Sequence, residues 1–393
     1  MNASAKPLNR RIRPAPVRSR LLCRIDPIPF ESPQGYLCRV AETYQYGSLE
    51  CLAKLAGLRS ARGLERNDNA ARLAHALRVE LTDWNCYAKV KGKGRFSARS
   101  FFGKVVGTDR LNYYNPRICP QCLESKAVIP AIWELGLVSA CPTHRRVLID
   151  RCPGCAKHLR WSRPSVCKCR CGFDLRTAKS EPVEPLVLAI SGIIYRAAGF
   201  PNIGAENALS EANFAPGLIA LQLDPLLRVI SFAGTSKESE GRRRIYHRTF
   251  AGDVTVALEL NRAAGALLRD WPHPFNAMLK DILVQHFHNP VTQNLRSVFG
   301  LFLGQMNRLF KSNEFGFLHD AFGEFIASNW TGVERGKFFP KVTRQNSRWI
   351  PEKEVAGLIR ACEVRVVELV KRGELDGVFA YPGKPGSQCW ITR

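Results

Sequence analysis

The sequence predicts a mainly α-helical protein that contains small zinc-ribbon or zinc-finger modules. Apolar residues repeat at helical spacing along most of the chain. Eight of the 14 cysteines lie between Cys119 and Cys171, and the length of 393 residues allows two or three domains of ordinary size. We therefore expect an N-terminal helix-turn-helix, a central double zinc block, and a C-terminal helical region that ends in a winged helix-turn-helix.

The charge balance predicts a nucleic-acid partner. The chain has 58 Lys and Arg residues against 34 Asp and Glu residues, which gives a formal net charge of +24. A surplus of this size attracts polyanions, of which nucleic acid is the usual one, and an acidic membrane surface is a weaker alternative. The hydrophobic content of 45% is that of a folded protein and excludes a disordered one.

Residues 1–25 are expected to form a flexible basic arm. Its first 24 residues include seven basic side chains and no acidic one, and its prolines discourage regular structure. Such an arm either becomes ordered on a phosphate backbone or remains a solvated tail. Its candidate nucleic-acid contacts are Arg10, Arg11 and Arg13.

Neither a secretory signal nor a membrane span is expected. No apolar core follows the basic arm, and the apolar run Leu186–Tyr195 falls well short of the roughly 20 residues that a bilayer requires. We therefore expect a bacterial cytoplasmic protein with no membrane partner. In a reducing compartment, clustered cysteines indicate metal ligands and not disulfides.

Residues 26–114 have the pattern of an N-terminal helix-turn-helix domain. Ser32 is a predicted N-cap with Pro33 at the first helical position. Apolar residues then repeat at helical spacing up to a predicted helix end at Gly47, and a second helix follows this glycine. A third helix is predicted from Asn69 to Val79.

Residues 115–180 are predicted to be a tandem zinc-finger region. Two loops of the Cys-x₂-Cys or Cys-x₂-His type can converge on one tetrahedral ion, with Zn–S bonds of about 2.3 Å. The spacing assigns a Cys₃His site to the first two loops and a Cys₄ site to the remaining cysteines, so two structural zinc ions are expected. The ligands are Cys119, Cys122, Cys141 and His144 for the first site, and Cys152, Cys155, Cys169 and Cys171 for the second.

The ligand set of the second site has one alternative. Cys167 can replace Cys169 or Cys171, and we favour the latter two because Gly172 suits a tight turn. A redox-active cluster and buried free cysteines are weaker interpretations of the region. An iron–sulfur cluster is disfavoured because one ligand is a histidine and nothing else indicates electron transfer.

The predicted sites have the composition of structural and not catalytic zinc. A catalytic ion needs an open coordination position and a nearby general base. Glu124 and Glu134 lie between the first two ligand pairs, and we expect both to be ordinary surface residues. Acidic residues are sparse, and no motif groups the carboxylates that a magnesium-dependent nuclease or integrase needs. We therefore expect no enzymatic activity, unless carboxylates meet only in the fold.

The C-terminal half is predicted to contain a helical domain, residues 181–332, and a winged helix-turn-helix-like domain, residues 333–393. In the second of these, the short strand Trp349–Ile350 precedes two helices that are separated by a break at Cys362–Glu363. Two further strands are predicted, Val378–Tyr381 and Gln388–Thr392. Strand, helix, helix and hairpin is the order of a winged helix-turn-helix.

Other basic side chains are further candidates for nucleic-acid contacts. They are Lys91, Lys93 and Arg95 in a loop, and Lys371 and Arg372 at the end of the last predicted helix. Such side chains neutralise phosphates, so binding should weaken steeply as salt is added. For any single residue, a solvated surface charge is the simpler interpretation.

The order and content of the cysteine loops are shared with a known family. The segments are Arg117-Ile-Cys119-Pro-Gln-Cys122, Trp133, Cys141-Pro-Thr-His144-Arg-Arg-Val-Leu148, Cys152-Pro-Gly-Cys155 and Cys169-Arg-Cys171-Gly172-Phe-Asp-Leu175. Together with Pro29-Phe-Glu31-Ser32, they resemble the TniQ family, which includes TnsD-type target-selection proteins. The likeness is good over residues 26–175 and loose over 220–330. The chain departs from the family at Ser32-Pro33-Gln34, where serine-leucine is usual, and in its third cysteine of the last loop.

The resemblance implies a non-catalytic target-selection adaptor in DNA transposition. TniQ-like proteins contact an AAA+ regulator of the TnsC or TniB type. Some select DNA through helix-turn-helix domains, whereas those of CRISPR-associated transposons sit on an RNA-guided Cascade complex, often as a dimer. DNA, guide RNA and a second copy of the chain therefore join the expected partners. The alternative is a sequence-specific, zinc-containing transcription regulator, which should bind an operator tightly on its own.

Overall fold

The computed structural model describes residues 20–59, 67–80, 89–90, 98–112, 114–201, 204–235, 253–288, 293–309, 312–331, 349–379 and 389–392. The chain divides into two compact units. The first contains the described parts of Met1–Ser210, Gln222–Ser231 and Arg242–Arg262, and the second those of Glu211–Leu221, Phe232–Gly241 and Ala263–Arg393. The five-part division predicted from the sequence stays a prediction.

The described part of the chain is mainly helical, with few and short strands, as predicted. In chain order the helices are α1 (Pro33–Thr43), α2 (Leu49–Leu55), α3 (Asn67–Leu77), α4 (Pro120–Ser125), α5 (Pro185–Ala198), α6 (Glu206–Ala212), α7 (Pro216–Ile219), α8 (Leu223–Thr235), α9 (Val254–Leu268), α10 (His273–His286), α11 (Leu295–Leu309), α12 (Gly316–Asn329), α13 (Glu352–Leu358) and α14 (Glu363–Lys371). The strands are β1 (Lys89–Val90), β2 (Ala98–Phe101), β3 (Lys104–Gly107), β4 (Ala140–Cys141), β5 (Arg146–Val147), β6 (Trp349–Pro351), β7 (Gly377–Phe379) and β8 (Cys389–Thr392). Among the described helices, none combines the length and the apolar composition needed to cross a membrane.

Helix α1 begins where its cap predicts, whereas the third helix, predicted from Asn69 to Val79, runs from Asn67 to Leu77. Ser32 Oγ accepts a hydrogen bond from the Gly35 amide (3.1 Å), and Pro33 is the first residue of α1. The end of α1 was predicted wrongly at Gly47. The helix stops at Thr43 because Gln45 adopts a left-handed backbone, φ 55°, and turns the chain back.

The first unit also contains two small antiparallel sheets. Strands β1, β2 and β3 form one sheet in that order, and the pair Phe101↔Lys104 closes the β2–β3 hairpin. Strands β4 and β5 form the other, with the pairs Ala140↔Val147 and Cys141↔Arg146. The second hairpin matters for the metal site because one of its strands carries a cysteine and its turn carries a histidine.

Aromatic side chains join the helices of the second unit. Phe275 of α10 contacts Phe302 of α11 at a ring-centroid distance of 5.9 Å, and Phe299 of α11 contacts Phe322 of α12 at 5.6 Å. Burying such large rings supplies most of the hydrophobic free energy of a small helical core.

The last residues form a small module with a core of its own. Strands β6, β8 and β7 make a three-stranded antiparallel sheet in that spatial order, and α13 and α14 lie between β6 and β7 in the chain. The core combines residues of both helices with residues of the sheet: Val355, Ala356, Val366, Val370, Cys389 and Ile391. The succession of strand, helix, helix and two strands is the one that the sequence pattern predicts, and its interpretation as a winged helix-turn-helix remains a prediction.

Candidate metal centre

The first unit brings Cys119, Cys122, Cys141 and His144 together, with their ligand atoms within 4.8 Å of one another. His144 Nδ1 lies 3.2 Å from Cys122 Sγ, 3.5 Å from Cys119 Sγ and 3.6 Å from Cys141 Sγ. The sulfurs of Cys122 and Cys141 are 3.5 Å apart. A tetrahedron with metal–sulfur bonds of about 2.3 Å has edges of about 3.8 Å. The four atoms are therefore spaced as ligands of a single ion, and we refer to them as the first cluster.

Local backbone structure explains this convergence. Cys119 is the N-cap of α4 and Pro120 is its first helical residue, so Cys122 follows within the first turn. Ile118 exchanges backbone hydrogen bonds with Ile149 (3.0 and 2.9 Å), which holds the start of α4 beside the β4–β5 hairpin. The turn of that hairpin presents His144 next to the cysteine that ends β4.

The second cluster contains Cys152, Cys155, Cys169 and Cys171, whose sulfurs also lie within 4.8 Å of one another. Cys152 Sγ is 3.6 Å from Cys171 Sγ, and Cys155 Sγ is 4.0 Å from Cys169 Sγ. These two distances bracket the tetrahedral edge expected for sulfur ligands of zinc. The second cluster is also suited to a single ion.

Two tight turns form the second cluster. In the first, the Ala156 amide donates to the Cys152 carbonyl (2.8 Å). In the second, the Gly172 amide donates to the Cys169 carbonyl (3.0 Å), and Gly172 has φ 89°, a conformation that favours glycine. The turns pack against each other, since a Cβ on Gly154 would lie 2.8 Å from Phe173 Cδ2.

Cys167, the sequence alternative for the second cluster, lies outside the group of four. It is buried, its amide donates to Ser165 Oγ (3.1 Å), and its carbonyl accepts from the Leu175 amide (2.8 Å). These bonds fix the backbone at the entrance to the second turn. Cys167 therefore supports the cluster from outside.

The crowded thiols of the first cluster need a cation if all three are to be thiolates at once, because hydrogen bonds from Cys122 and Cys141 lower the pKa of Cys119 at the expense of the other two. The sulfurs of Cys119 and Cys141, together with burial, raise the pKa of Cys122 far above its ordinary value. The Cys119 sulfur and burial raise the pKa of Cys141 to about 11. A divalent cation at the centre reverses this balance because it binds the thiolate form. Both clusters could therefore hold a metal ion, and each supplies four protein ligands.

Neither cluster has the composition of a hydrolytic site. Four protein ligands leave a tetrahedral ion no open position for water or substrate. Among the described residues, only the two clusters bring together three or more side chains that could hold a metal ion. Neither cluster contains a carboxylate. The ions would hold the fold together here.

The sequence interpretation of Glu134 as a surface residue was wrong. Glu134 is only 1% exposed and accepts a short hydrogen bond from Ser32 Oγ. Ser32 precedes it by 102 residues, so local sequence carries no signal of this pairing. Glu124, by contrast, is exposed as expected. The buried Ser32–Glu134 pair joins the start of α1 to the segment between the metal ligands.

Two buried arginines beside the clusters were not identified from the sequence. Arg117 is fully buried, and its Nη1 donates to the carbonyls of Gly136 (2.8 Å) and Val138 (2.7 Å). Burial lowers the pKa of Arg117 to about 10. Arg163 is also buried, and its electrostatic partners are sulfurs, those of Cys38, Cys167 and Cys169. A basic residue close to a cysteine loop is the one sequence signal that could have suggested such roles.

Two of the predicted nucleic-acid residues lie in the second unit, and the others lie outside the described residues. Lys371 and Arg372 are exposed at the end of α14. The remaining candidates, Arg10, Arg11, Arg13, Lys91, Lys93 and Arg95, lie outside the described residues. Their assignment stays a prediction.

A comparison with known protein families identifies the domain around the first cluster. Residues 22–148 match the TniQ family. This segment, about a third of the chain, is similar to the TniQ family, and we refer to it as the TniQ domain. The TniQ match contains the Ser32–Glu134 pair and the whole first cluster, and it ends before Cys152, so the second cluster lies beyond it. No curated protein matches the chain. TniQ proteins are non-catalytic factors with a target-selection role in transposition, which is the family-level function that the match implies.

Proposed function

We propose that this protein is a non-catalytic target-selection adaptor in DNA transposition. It links a targeting complex, either an RNA-guided Cascade complex or a protein-bound DNA site, to an AAA+ transposition regulator of the TnsC or TniB type. The observation that carries the proposal is the TniQ match over residues 22–148 around a closed four-ligand cluster. A scaffold fixed by such a cluster can position partners without itself performing bond chemistry.

We further propose that the metal in both clusters is zinc. Three thiolates with one imidazole, and four thiolates, are ligand sets that zinc prefers in structural sites. The tetrahedral spacing of the ligand atoms supports this assignment. Zinc has no redox chemistry, so the proposed ions act only by holding the turns together. The ligands would be the eight residues of the two clusters.

The C-terminal module is the proposed duplex-DNA contact. Its order of elements supports a winged helix-turn-helix, in which the second helix enters the major groove. On this proposal, α14 is that helix, and the exposed Lys371 and Arg372 neutralise phosphates at its end. The basic arm and the loop Lys91–Arg95 are proposed to add further phosphate contacts.

Co-purification tests the adaptor role. The tagged full chain should retain the AAA+ regulator, or Cascade subunits where the same transposon encodes them, and should lose them when the first cluster is disrupted. It should bind isolated DNA only with weak sequence preference. Selection of bound duplexes from a random pool tests the alternative function. Recovery of one discrete sequence without either protein partner would favour the transcription-regulator alternative.

A double variant and a single-charge control test the DNA contact of the module. The double substitution Lys371→Gln and Arg372→Gln should weaken duplex binding and reduce the salt dependence, by a slope of about 0.9 for each phosphate that the variant no longer neutralises. Lys353→Gln removes an exposed lysine from α13 of the same module and is the control. Equally weakened binding in the control and in the double variant would show non-specific attraction and would contradict the assignment of α14.

A further inference from the structure

Two phenylalanines occupy tight-turn positions that favour glycine. Phe30 is the third residue of the turn Ile28–Glu31, which is closed by a hydrogen bond from the Glu31 amide to the Ile28 carbonyl (3.0 Å). Its φ is 65°, and Pro29 precedes it. Proline at the second position and a positive φ at the third are the marks of a type II turn, whose third residue is usually glycine or asparagine.

The second such position is in the β2–β3 hairpin. Phe102 and Gly103 are the two residues between the strands, with φ values of 48° and 80°. Two consecutive positive φ values in a two-residue hairpin loop indicate a type I′ turn, for which Asn-Gly is preferred. A bulky side chain is disfavoured in this conformation because its Cβ crowds the backbone. Neither turn requires an aromatic ring.

The two rings lie together on a buried aromatic base. The centroids of Phe30 and Phe102 are 5.9 Å apart, and they lie 4.7 and 5.0 Å from the ring of Phe200. Phe200 in turn stacks on Phe101 at 5.7 Å with an interplanar angle of 19°. Phe101 and Phe200 are buried, with 0% and 5% exposure, whereas Phe30 is 37% exposed and Phe102 is half-buried. We refer to Phe30 and Phe102 as the aromatic platform.

Basic residues that are close in sequence to the phenylalanines of the platform favour an anionic partner. Lys104 follows the Phe102–Gly103 turn, and Arg196 is an exposed residue of α5 four positions before Phe200. In the part of the chain that is described, neither cation forms an ion pair. The neighbouring carboxylates are already paired: Glu31 with Arg39 (2.7 Å) and Asp26 with Arg24 (2.5 Å). A partly exposed aromatic pair with unpaired cations matches a nucleic acid, which offers flat bases and phosphates.

We propose that the aromatic platform stacks an unstacked base of a single-stranded or locally opened nucleic acid, while Lys104 and Arg196 attract its phosphates. Both turns then retain phenylalanine for the ring, although the backbone conformation disfavours it. The proposal rests on the proposed function only in taking nucleic acid as the ligand class. It adds a contact with a single strand to the duplex contact proposed for the C-terminal module.

Substitution by asparagine separates the ring from the turn. Asparagine tolerates a positive φ, so Phe30→Asn and Phe102→Asn should leave each turn intact. Fluorescence anisotropy with labelled oligo(dT) and the full chain should show binding weakened about 10- to 100-fold in the double variant, since each base–aromatic stack contributes substantially to affinity. The salt dependence should stay as in the wild type because no phosphate contact is removed. Zinc content and the circular dichroism spectrum should also be retained, while loss of the ring contacts with Phe200 lowers the melting temperature.

Three further variants make the test specific. Phe30→Trp should retain oligo(dT) binding because tryptophan stacks well, whereas Phe30→Leu, which keeps the apolar character, should lose it. Tyr114→Ala removes an exposed aromatic ring elsewhere in the first unit and should have no effect. Retained binding in Phe30→Leu, or equally weakened binding in Tyr114→Ala, overturns base stacking.

The outcomes also distinguish this proposal from the adaptor role. Asparagine variants that bind oligo(dT) like the wild type but fail to capture the AAA+ regulator would show that the platform docks an apolar protein segment. Asparagine variants unchanged in both assays would show that the platform is only a part of the core. In both cases base stacking is wrong and the adaptor role stands. Loss of oligo(dT) binding with regulator capture intact is the expected result.

Discussion

The two metal clusters of this protein differ in ligand charge, in exposure and in their relation to the TniQ domain. The first has three cysteines and a histidine, none of them exposed, and lies within the matched residues 22–148. The second has four cysteines, of which Cys171 is exposed, and lies beyond the match. Zinc would leave the first cluster with one net negative charge and the second with two. We infer that the TniQ domain needs the first cluster in order to fold. The second cluster is more accessible to solvent and stabilises only the turns that carry its ligands.

Loss of the first cluster should have the largest effect. Cys119→Ser removes a buried ligand from a closed site, and a structural zinc contributes about 10 kcal/mol or more, comparable with the stability of a whole domain. We expect one zinc ion fewer per chain by elemental mass spectrometry and loss of the cooperative thermal transition of the first unit by circular dichroism. Cys51→Ser, at an exposed cysteine outside both clusters, is the control. Unchanged zinc content in Cys119→Ser would show that the first cluster is not a metal site.

Loss of the second cluster should have a smaller effect and should identify its ligands. Cys171→Ser alters an exposed ligand, so water can reach the vacated position, and we expect one zinc ion fewer while the TniQ domain stays folded. Cys167→Ser should keep both ions because Cys167 lies outside the group of four. Zinc loss in Cys167→Ser with retention in Cys171→Ser would reverse the assignment. Equal unfolding of Cys171→Ser and Cys119→Ser would remove the distinction between the clusters.

Sequence alone predicts those parts of the site that depend on short-range geometry. A Cys-x₂-Cys loop closes within one turn of the chain, so its two ligands meet whatever the rest of the fold does. The same holds for the cap of α1 at Ser32 and for the turn that Gly172 permits, both of which the sequence predicts. The strands and helices of the C-terminal module were also predicted nearly in place, because the break at Cys362–Glu363 is a local signal.

The remaining features depend on contacts between residues that are distant in the chain. Glu134 is buried because Ser32 reaches it from 102 positions away. Arg117 can be buried because carbonyls 19 and 21 positions later accept hydrogen bonds from its Nη1. Pattern and spacing contain none of this information.

The buried charge of Arg163 should distinguish the metal-bound second cluster from the metal-free one. Among the described residues, no oxygen acceptor lies within hydrogen-bonding distance of its guanidinium, and its electrostatic partners include the Cys169 sulfur. Burial lowers the pKa of Arg163, whereas an adjacent zinc–thiolate group with two negative charges would compensate its positive charge. Arg163→Met should therefore weaken zinc binding at the second cluster by about tenfold or more, yet stabilise the metal-free protein.

Competition with a chromogenic chelator measures the first effect, and thermal melting after chelation measures the second. Arg160→Met, at an exposed neighbouring position, is the matched control and should change neither quantity. If Arg163→Met lowers the melting temperature equally with and without zinc, Arg163 only fills space in the core. The negative charge of the zinc-bound second cluster then does not depend on Arg163 for compensation.

The smallest effect should come from an ion pair at the edge of the second cluster. Arg176 donates hydrogen bonds to Asp174 (2.5 and 3.0 Å) and lowers the pKa of that carboxyl from 3.8 to about 2. A carboxyl whose pKa is depressed in the folded state stabilises the fold above its unfolded pKa and loses this contribution as the pH falls toward 2. Because the pair is exposed, Asp174→Asn should lower the melting temperature by no more than about 2 °C, by the same amount at every pH from 5 to 8.

The same substitution should accelerate zinc release from the second cluster alone, since Asp174 helps to close the turn that carries Cys169 and Cys171. Asp26→Asn breaks a similar exposed pair, that with Arg24 (2.5 Å), and should leave zinc release unchanged. A change in the rate of zinc release from the first cluster in Asp174→Asn would show that the two clusters are coupled, and would contradict the independence on which their comparison depends.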